Sequence, residues 1–576
     1  MEQSNYWQRL ARKRLTRRRL LAAGGVTALG ASAAMFVGCD SGGNSNGNGP
    51  ALKTAIPGSS PGTPIPGGDV TFGRLLNVLG IDPHVDLTGL DIDFLLYSYL
   101  YSWRSYDETF VLNNLAQDFE QPDPEHLEFI FTLNQGVKCH PIGPAAGEEI
   151  TSEDCKQSFI RRGTSLTAPD KRFPNKIAGV ATDKTALTAA LQTPDRYTFS
   201  FKMAEPFVPS IREMANPTWA IVPAKVLEEY RGRGLSQDAF GSGPFMLKEF
   251  RGNERIVLER HPDYFLKPRP WLDTITYIVI TESSSLLAAF ESRQHDVNGS
   301  ILSKEQYEEF ASDDRFEVAT APSLFYPVIH MKMKDPFNDV RVREAIDLAI
   351  DRDQIIAVLQ SGEGEYNGPI QWPQAKWALP QEELRAFYAP NPDRAKSILE
   401  EAGYGAGFTA RMKLPKLSGP SIVGDIAVLI KDQLGRANIN IELDEVELGA
   451  FIGSTLLPGN FEMAFFPNLP YDEPDRPLAF YHSLGVTGTG NWTNYSNKDL
   501  DALINAQSEE FDEARRKDLI LQAQRMILQE HGPQLTLTGS YAYSARWNYV
   551  HFPFELGDDP PETAGPNGTE IWTENV

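Results

Sequence analysis

The sequence predicts a mixed α/β fold, and three observations lead to that class. Stretches with alternating apolar residues, typical of half-buried strands, recur along most of the 576 residues. Stretches with apolar residues at helical spacing lie between them. The chain is 41% hydrophobic and 23% charged, as globular proteins are, and it has no internal repeat of fixed period. The length allows two or three domains.

The predicted elements begin with a strand at residues 70–73, a helix at 91–103 and a strand at 129–133. A helix follows Thr151 or Ser152, and either residue suits the N-cap ahead of an acidic first turn. Alternation predicts further strands at 197–203, 245–250, 256–259 and 275–280. Helical spacing predicts further helices at 284–292, 341–348, 353–359, 393–402, 423–437, 498–508 and 513–530.

The N-terminus has the order of regions found in a secretory signal. Arginines at 17–19 end a basic region, a weakly apolar segment fills 20–37, and Gly38 precedes Cys39. The arginines resemble a twin-arginine export signal. Gly38-Cys39 resembles a lipoprotein box, in which Cys39 is lipidated and becomes the first mature residue. We therefore interpret residues 1–38 as a signal peptide and residues 39–67, rich in Ser, Gly, Asn and Pro, as a flexible tether.

Two residues depart from these motifs, since Leu20 stands where the export motif usually has Phe and Phe36 where the lipoprotein box prefers Leu. The alternative is an uncleaved membrane anchor, because segment 20–37 is close to the minimum of about 18 residues for a span. Glycine, serine and threonine interrupt that segment. Both interpretations place the chain after Cys39 outside the cytoplasm.

The charge balance argues against nucleic acid as a partner. The formal net charge is −23, and residues 1–38 carry seven basic residues and one acidic residue. The remainder therefore has 47 basic and 76 acidic residues, a formal charge of −29. So acidic a body repels nucleic acid and anionic lipid, and it is expected to stay beside the membrane on its tether.

The three cysteines divide into the proposed lipid site Cys39 and the pair Cys139 and Cys155. In an oxidising compartment that pair can form a disulfide, and the alternative is two buried free thiols. No Cys or His spacing predicts a metal site.

The sequence contains no catalytic fingerprint of the nucleophile-elbow, Walker, HExxH or dinucleotide type. GSGP at 241–244 is the nearest approach to a phosphate loop, but it lacks the Lys-Ser/Thr continuation and leads into a strand, which favours a tight structural turn. His84, His140 and His330 each lie alone in sequence. No local motif favours an enzyme, and none predicts a cofactor.

Several motifs occur in the order in which one family has them. The most extensive is DPFNDVRVREAI at 335–346, which continues to AIDR at 349–352. The others are IDPH at 81–84, LAQDF at 115–119, FIFTLNQGVK at 129–138, TSED at 151–154, GSGP at 241–244, RHPDYF at 260–265, AKSIL at 395–399, EAGY at 401–404 and YSNKDLD at 495–501. From about residue 68 to 540 the chain thus resembles the extracellular solute-binding protein family 5 of peptide/nickel-type ABC importers.

The resemblance implies a two-lobed periplasmic-binding-protein fold of type II, cluster C-like, with an extra domain inserted in lobe one. Lobe one would comprise 68–108, 219–321 and 533–576, the extra domain 109–218, and lobe two 322–532. Hinge strands would lie near 323–331 and 534–541. The implied function is the extracytoplasmic, lipid-anchored component of an ABC importer. It would act as a monomer that closes on a solute and delivers it to a membrane permease.

The resemblance also suggests where solute specificity lies. Peptide binders of this family pair the amino terminus of the ligand with an Asp at a position that here holds Pro470 or Tyr471, and Asp472 is the neighbouring substitute. Leu456 and Phe465 stand where peptide binders carry arginines. The predicted ligand-binding residues are Asp86, Thr88, Tyr326, Trp372, Phe465, Phe466, Asn468, Tyr471 and Asp472.

Around Asp472 the lining is aromatic and neutral, with Phe465, Phe466 and Tyr471 and with Trp372 and Trp377 nearby, which suits apolar side chains or sugar faces. Peptide is the first expectation, oligosaccharide or another neutral solute the second, and a nickel chelate the third. The aromatic residues can equally be ordinary core. A tethered hydrolase or a surface sensor remains the alternative from another class.

Overall fold

The computed structural model describes residues 63–574 except for residue 87, 104–110, 124, 166–171, 179–182, 301, 324–325, 373, 375, 417–421, 469–472, 485–489 and 553–568. The predicted signal peptide, Cys39 and most of the tether lie outside the described residues.

The strands are numbered in chain order. They are β1 (Asp69–Arg74), β2 (Tyr101–Trp103), β3 (Val111–Asn113), β4 (Ala116–Glu120), β5 (Glu128–Leu133), β6 (Leu191–Asp195), β7 (Thr198–Lys202), β8 (Phe245–Arg251), β9 (Arg255–Arg260), β10 (Thr274–Val279), β11 (Phe316–Pro322), β12 (Tyr326–Met331), β13 (Gly364–Tyr366), β14 (Phe408–Lys416), β15 (Ile439–Glu447), β16 (Met463–Asn468), β17 (Gln534–Thr536), β18 (Thr538–Trp547), β19 (Val550–His551) and β20 (Trp572–Thr573).

The α-helices are numbered in the same way. They are α1 (Leu90–Leu96), α2 (Ser152–Thr164), α3 (Arg172–Ala178), α4 (Lys184–Ala190), α5 (Ser210–Met214), α6 (Ala224–Glu229), α7 (Ser283–Glu291), α8 (Lys304–Ala311), α9 (Val340–Ala349), α10 (Arg352–Leu359), α11 (Gln381–Phe387), α12 (Pro392–Glu401), α13 (Ile422–Arg436), α14 (Leu448–Ala450), α15 (Asp475–Ala479), α16 (Lys498–Glu509) and α17 (Glu513–Gln529). A 3-10 turn covers Pro217–Trp219, and a π-helical turn covers Phe451–Leu456.

Four sheets of three or more strands contain most of these strands, and β2-β3 and β19-β20 form two further pairs. Sheet I has the order β1-β10-β9-β8, sheet II β11-β18-β13, sheet III β15-β14-β16-β12-β17, and sheet IV β4-β5-β7-β6. Sheet III is mixed, because β14 runs parallel to β15 and β16 whereas β12 runs antiparallel to β16 and β17. Alternating sheet III residues, such as Met412, Met463 and Phe465, are fully buried in one core with apolar residues of α9, α12 and α13.

Sheets II and III are joined by two strand pairs that follow one another. β11 pairs with β18 from Phe316 and Trp547 to Pro322 and Tyr541. β12 then pairs with β17, and the Leu537 N–H donates to the Pro327 carbonyl at 3.2 Å. The chain therefore passes between the two sheets twice, in antiparallel neighbouring segments. We call residues 322–323, 326–328 and 536–541 the crossing.

Sheet IV carries an aromatic core in the region predicted as the extra domain. Phe129 and Phe201 stack at 5.0 Å between ring centroids, and Phe159 of α2 lies 5.0 Å from both Phe199 and Trp219. The aromatic residues occupy every second position of β5 and β7 and are buried on one face of the sheet. The alternation in the sequence therefore indicates the buried face.

Most predicted elements are confirmed within one or two residues, but the helix expected at 91–103 is wrong in its second half. It ends at Leu96, and Tyr101–Trp103 forms a strand paired with Val111–Asn113. The GSGP turn explains the ending, since the Leu96 carbonyl accepts the Gly243 N–H at 3.1 Å. A Cβ at Gly243 would lie 2.4 Å from the Leu96 carbonyl carbon, so this close approach requires glycine.

Polar side chains begin several helices as the sequence predicts. Thr151 and Asp154 form a capping box at α2, and Asp339, Asn497 and Asp512 accept backbone N–H groups at the starts of α9, α16 and α17. Among the helices of the described residues, we find none with the length and apolar character that a membrane span needs.

Candidate solute-binding site

The crossing brings together some of the predicted ligand-binding residues. Tyr326, the first residue of β12, is 2% exposed and lies opposite Asn468, the last residue of β16. Trp372 lies against the other side of the crossing, with its ring 5.5 Å from that of Tyr541 at an angle of 63°. The Asn468 side chain is outside the described residues, and so are Tyr471 and Asp472.

Trp372 is held in place by its own loop. Its backbone N–H donates to Asn367 Oδ1 at 3.0 Å, and the Asn367 N–H donates to the Leu537 carbonyl at 3.0 Å. The indole lies over Gly539, where a Cβ would be 1.9 Å from Trp372 Nε1. Glycine at this point of β18 therefore lets the aromatic ring reach the crossing.

Two predicted ligand residues, Phe465 and Phe466, pack in two different apolar clusters of strand β16. Phe465 is fully buried in the cluster that sheet III forms with its helices. Phe466 is partly buried and packs against Phe451 at 5.4 Å between ring centroids. For Phe465, the interpretation as ordinary core applies, because adjacent strand residues point to opposite faces.

Asp86 and Thr88 make local contacts in the segment after β1. Asp86 Oδ2 accepts the Asp82 N–H at 3.0 Å, which closes a turn. Thr88 Oγ1 accepts the Leu79 N–H at 2.8 Å, and its carbonyl accepts from Arg74 at 3.2 Å. These bonds give both residues a structural role, and their contact with a solute stays a prediction.

The IDPH segment is bound to α2, in the region predicted as the extra domain. Asp82 is buried and pairs with Arg161 of α2 through two hydrogen bonds of 2.7 and 2.5 Å. Its carboxylate also accepts the Leu235 N–H at 3.0 Å. Burial raises the pKa of Asp82, but Arg161 and the other partners outweigh it and hold the pKa below its usual value. Burial, together with Arg161, lowers the pKa of His84 to about 3.

The arginines of the DPFNDVRVREAI and AIDR motifs likewise maintain the fold. Arg343 donates to the carbonyls of Phe337, Glu530 and His531. Arg352 is fully buried and donates to the Thr536 carbonyl at 2.9 Å. Arg343 thus binds the residues that follow α17, and Arg352 binds the end of β17.

Two buried arginines were not predicted. Arg162 of α2 and Arg476 of α15 are 2% and 8% exposed. Burial lowers the pKa of Arg162 to about 10, and burial together with Arg162 lowers the pKa of Arg476 to about 9. Two arginines far apart in sequence are therefore close enough to repel each other. The only sequence signal is that Arg162 lies on the helix face of Ser158 and Phe159 rather than on the polar face.

Arg162 has unused hydrogen-bonding capacity. Its Nη2 donates to Thr218 Oγ1 at 3.2 Å, and its guanidinium carbon lies 5.1 Å from the centroid of the Trp219 ring. Within the described part of the chain, its Nε and Nη1 have no hydrogen-bond partner although both are buried. A buried guanidinium with two free N–H groups is suited to a carboxylate.

The region predicted as the extra domain contacts the end of α16. The Val208 N–H donates to the Ser508 carbonyl at 2.7 Å, and Lys176 pairs with Glu509 at 3.2 Å. The ring of His126 lies 4.5 Å from that of Phe511. These three contacts link the sheet IV region to the helices of the sheet III region, and we call them the distal contact.

Cys139 and Cys155 are buried free thiols in the structure, so the disulfide that the sequence allows is not formed there. Burial raises the pKa of Cys139 to about 12, which makes it a poor nucleophile. His140 packs edge to face on His261 at 4.9 Å, and both rings contact the Gly243 carbonyl. In the residues that the structure covers, no group of three His, Cys, Asp or Glu side chains is arranged to hold a metal ion.

Comparison with known sequences decides the family. A family profile described as "Bacterial extracellular solute-binding proteins, family 5 Middle" matches residues 111–491. The chain belongs to this family. Its curated relatives include the oligopeptide-binding protein AppA of Bacillus subtilis, 26% identical over 82% of this chain and 85% of AppA. Another is the probable D,D-dipeptide-binding periplasmic protein DdpA of Escherichia coli, 24% identical over 84% of this chain and 90% of DdpA.

Solved structures show the fold of this family 5 protein. The periplasmic binding protein DppA of Helicobacter pylori in complex with the peptide STSA has a TM-score of 0.76 at 22% identity, covering 88% of this chain and 99% of DppA. AgaA in complex with agropinic acid has the same TM-score at 21% identity and the same two coverages. The fold is therefore the two-lobed α/β fold of periplasmic binding proteins, as the sequence predicted.

Proposed function

We propose that this family 5 protein is the extracytoplasmic solute-binding component of an ABC importer and captures a peptide-like solute between its lobes. Relatives named as oligopeptide- and D,D-dipeptide-binding proteins support the peptide class. Lobe one comprises 68–108, 219–321 and 533–576, the extra domain 109–218, and lobe two 322–532.

The crossing supports closure by a hinge. The described residues of the two connections between sheets II and III pair as neighbouring strands. The backbone bond between Leu537 and Pro327 joins one connection to the other. Paired segments of this kind can bend together while each sheet stays rigid. Solute that contacts both lobes then favours the closed state by its differential affinity for the two states.

The partly unpaired guanidinium of Arg162 is the observation that favours a peptide-like solute over an uncharged one. Within the described residues its Nε and Nη1 are buried without a hydrogen-bond partner, and the one carboxylate that acts on its pKa, Glu213, only partly offsets its burial. A carboxylate at the end of a peptide-like solute matches this guanidinium in charge and geometry. Asp472 is the proposed partner of an amino terminus.

The remaining parts of the proposal concern location and partners. Lipidation of Cys39 would keep the protein at the outer face of the cytoplasmic membrane, beside a permease that accepts the solute. The protein would act as a monomer and would not catalyse a reaction. Mass spectrometry of membrane-bound protein tests the anchor: a diacylglyceryl mass on Cys39 is expected, and an intact Met1 would contradict it.

Native mass spectrometry of the full chain, purified from membranes and then denatured to release bound solute, tests the ligand class. We expect a set of peptide masses. Hexose-spaced masses would replace the peptide class by oligosaccharide while leaving solute capture in place.

Arg162→Met sharpens this test, because it retains the length of the side chain and removes the guanidinium. Affinity for peptides with a free carboxyl end should fall at least tenfold, and affinity for carboxyl-amidated peptides should stay within about twofold. Lys156→Met, on the same helix at a half-exposed position, is the matched control. Equal losses for both peptide forms would contradict a carboxylate at Arg162.

An oligosaccharide is the second candidate, and one observation favours it. Trp372 and Tyr541 present a pair of aromatic rings at the crossing. Such rings accept the apolar face of a sugar as readily as an apolar side chain.

A further inference from the structure

The loop that carries Trp372 holds an unusual group of unpaired polar atoms. Asn367 is fully buried, and Gln371 and Gln374 are 4% and 8% exposed. In the described part of the chain, Asn367 Nδ2, Gln371 Oε1, Trp372 Nε1 and both amide atoms of Gln374 are buried without a hydrogen-bond partner. We call these four residues the amide loop.

The amide loop is one connected turn. The Gln374 N–H donates to the Gln371 carbonyl at 3.1 Å, and the Trp372 N–H donates to Asn367 Oδ1 at 3.0 Å. The backbone N–H groups of Asn367, Trp372 and Gln374 are thus paired, whereas the side-chain atoms named above are not.

The amide loop lies against the crossing. The Asn367 carbonyl accepts from Thr536 Oγ1 at 2.8 Å, and the Trp372 ring contacts Gly539 and Tyr541 of β18. These strand residues belong to the segment where the chain passes between the two lobes. Asn367 and Trp372 are thus at the border where a solute held between the lobes would meet lobe two, and Gln371 and Gln374 are their neighbours in the same loop.

The chemistry of the unpaired atoms is mixed and uncharged. Asn367 and Trp372 offer N–H donors, Gln371 offers an oxygen acceptor, and Gln374 offers both. Leaving a buried amide or indole N–H unpaired costs about 1–3 kcal/mol for each group. Four such groups in one turn therefore need partners that can both donate and accept, as amide groups and hydroxyl groups do.

We propose that the amide loop is a binding subsite for an uncharged polar part of the solute, such as the backbone amides of a peptide or the hydroxyls of a sugar. This inference rests on the proposed capture of a solute between the lobes, and it identifies the residues that hold the middle of that solute. The amide loop complements Arg162, which addresses a charged end.

Gln374→Met and Gln371→Met test the proposal, because methionine keeps the length of glutamine and removes its amide. Gln433→Met is the matched control. Gln433 is equally buried, but its amide is fully paired, with Asp351 at 3.1 Å and Gln354 at 2.9 Å. Affinity is measured by calorimetry and stability by the urea midpoint without solute. The probes are an equimolar tripeptide library with free ends, the same library acetylated and amidated at its ends, and maltotriose.

If the proposal holds, Gln374→Met lowers the affinity for both tripeptide libraries about tenfold and leaves the urea midpoint unchanged or higher, because no native hydrogen bond is lost. Gln371→Met, which removes a single acceptor, lowers affinity about threefold. Gln433→Met lowers the urea midpoint and leaves affinity unchanged. Unchanged affinity in both loop variants, together with a lower midpoint as in Gln433→Met, would overturn the proposal and show that the amides only support the fold.

The probes separate this inference from the proposed function. Binding of maltotriose but of neither library, weakened by Gln374→Met, would overturn the peptide class and support the amide loop. Binding of tripeptides that neither loop variant weakens would support the peptide class and overturn the amide loop. Binding of none of the three probes would overturn both.

Discussion

Replacing Asp82 by Asn tests whether the IDPH segment anchors the extra domain. Asn keeps the size of Asp but removes the charge that faces Arg161. In the structure, Asp82 accepts two hydrogen bonds from Arg161, at 2.7 and 2.5 Å, and one from the Leu235 N–H. The substitution therefore leaves the largely buried Arg161 guanidinium without its counter-ion. The single amide oxygen of Asn must then accept from both Arg161 and the Leu235 N–H.

The expected loss in the free energy of unfolding is about 3 kcal/mol. Breaking one side of a buried ion pair costs about 3–5 kcal/mol, and the lower end applies because the Arg161 side chain is 27% exposed and water can solvate it. The matched control is Asp263→Asn, whose partner Lys138 is 3.8 Å away with both side chains more than half exposed. That pair should contribute less than about 1 kcal/mol.

Urea unfolding, followed by tryptophan fluorescence and by far-ultraviolet circular dichroism, measures both variants. Two probes are needed because a chain with several domains need not unfold in a single step. Asp82→Asn should lower the first midpoint, and solute affinity of the folded protein should change little. A loss equal to that of Asp263→Asn, or a loss of affinity without a loss of stability, would refute the structural role assigned to Asp82.

Three further predictions concern other parts of the molecule. Gly539→Ala should displace the Trp372 ring, blue- or red-shift its fluorescence and weaken solute binding several-fold, because the ring contact contributes about 0.5–1.5 kcal/mol; an unchanged spectrum would contradict the contact. Burial holds the pKa of His140 at about 3, so the unfolded chain binds a proton that the folded chain does not between about pH 6.5 and 3. Stability should therefore fall as pH drops through that window, and His140→Gln should flatten the fall in urea midpoints. Lys176→Gln should change the free energy of unfolding by less than about 1 kcal/mol. If the pair of Lys176 with Glu509 forms only in the closed state, the variant should release solute faster in stopped-flow measurements. An unchanged release rate would contradict this.

The fold could be predicted from the sequence where period and capping agree. The helix predicted at 423–437 is α13, Ile422–Arg436, because its apolar residues repeat at helical spacing. The helix predicted beyond Leu96 was wrong because the apolar residues there fit helical spacing. The helix ends at Leu96 because of a contact with the GSGP turn, which is distant in sequence. Contacts of that kind depend on tertiary structure, which a local pattern does not contain.

The positions of the predicted ligand-binding residues in the fold could not be derived from the sequence, for a related reason. Trp372 and Tyr326 do lie at the crossing, but Phe465 belongs to the core, and aromatic character alone does not distinguish a strand's two faces. Gln371 and Gln374 gave no signal, because an amide is unremarkable in sequence until its burial without a partner is known. Arg162 was detectable in principle, as a charge on the buried face of an amphipathic helix.

The distal contact has a consequence for recognition by the membrane partner. Val208 and Ser508 are joined by a backbone bond, and the surface around them is composed of two parts of the chain that share no sheet. Such a composite surface exists only while the two parts meet. We expect that a permease binding across this surface would distinguish the solute-bound protein from the free protein without contacting the solute. One transporter could then accept chemically different solutes, because each of them would stabilise the same closed surface.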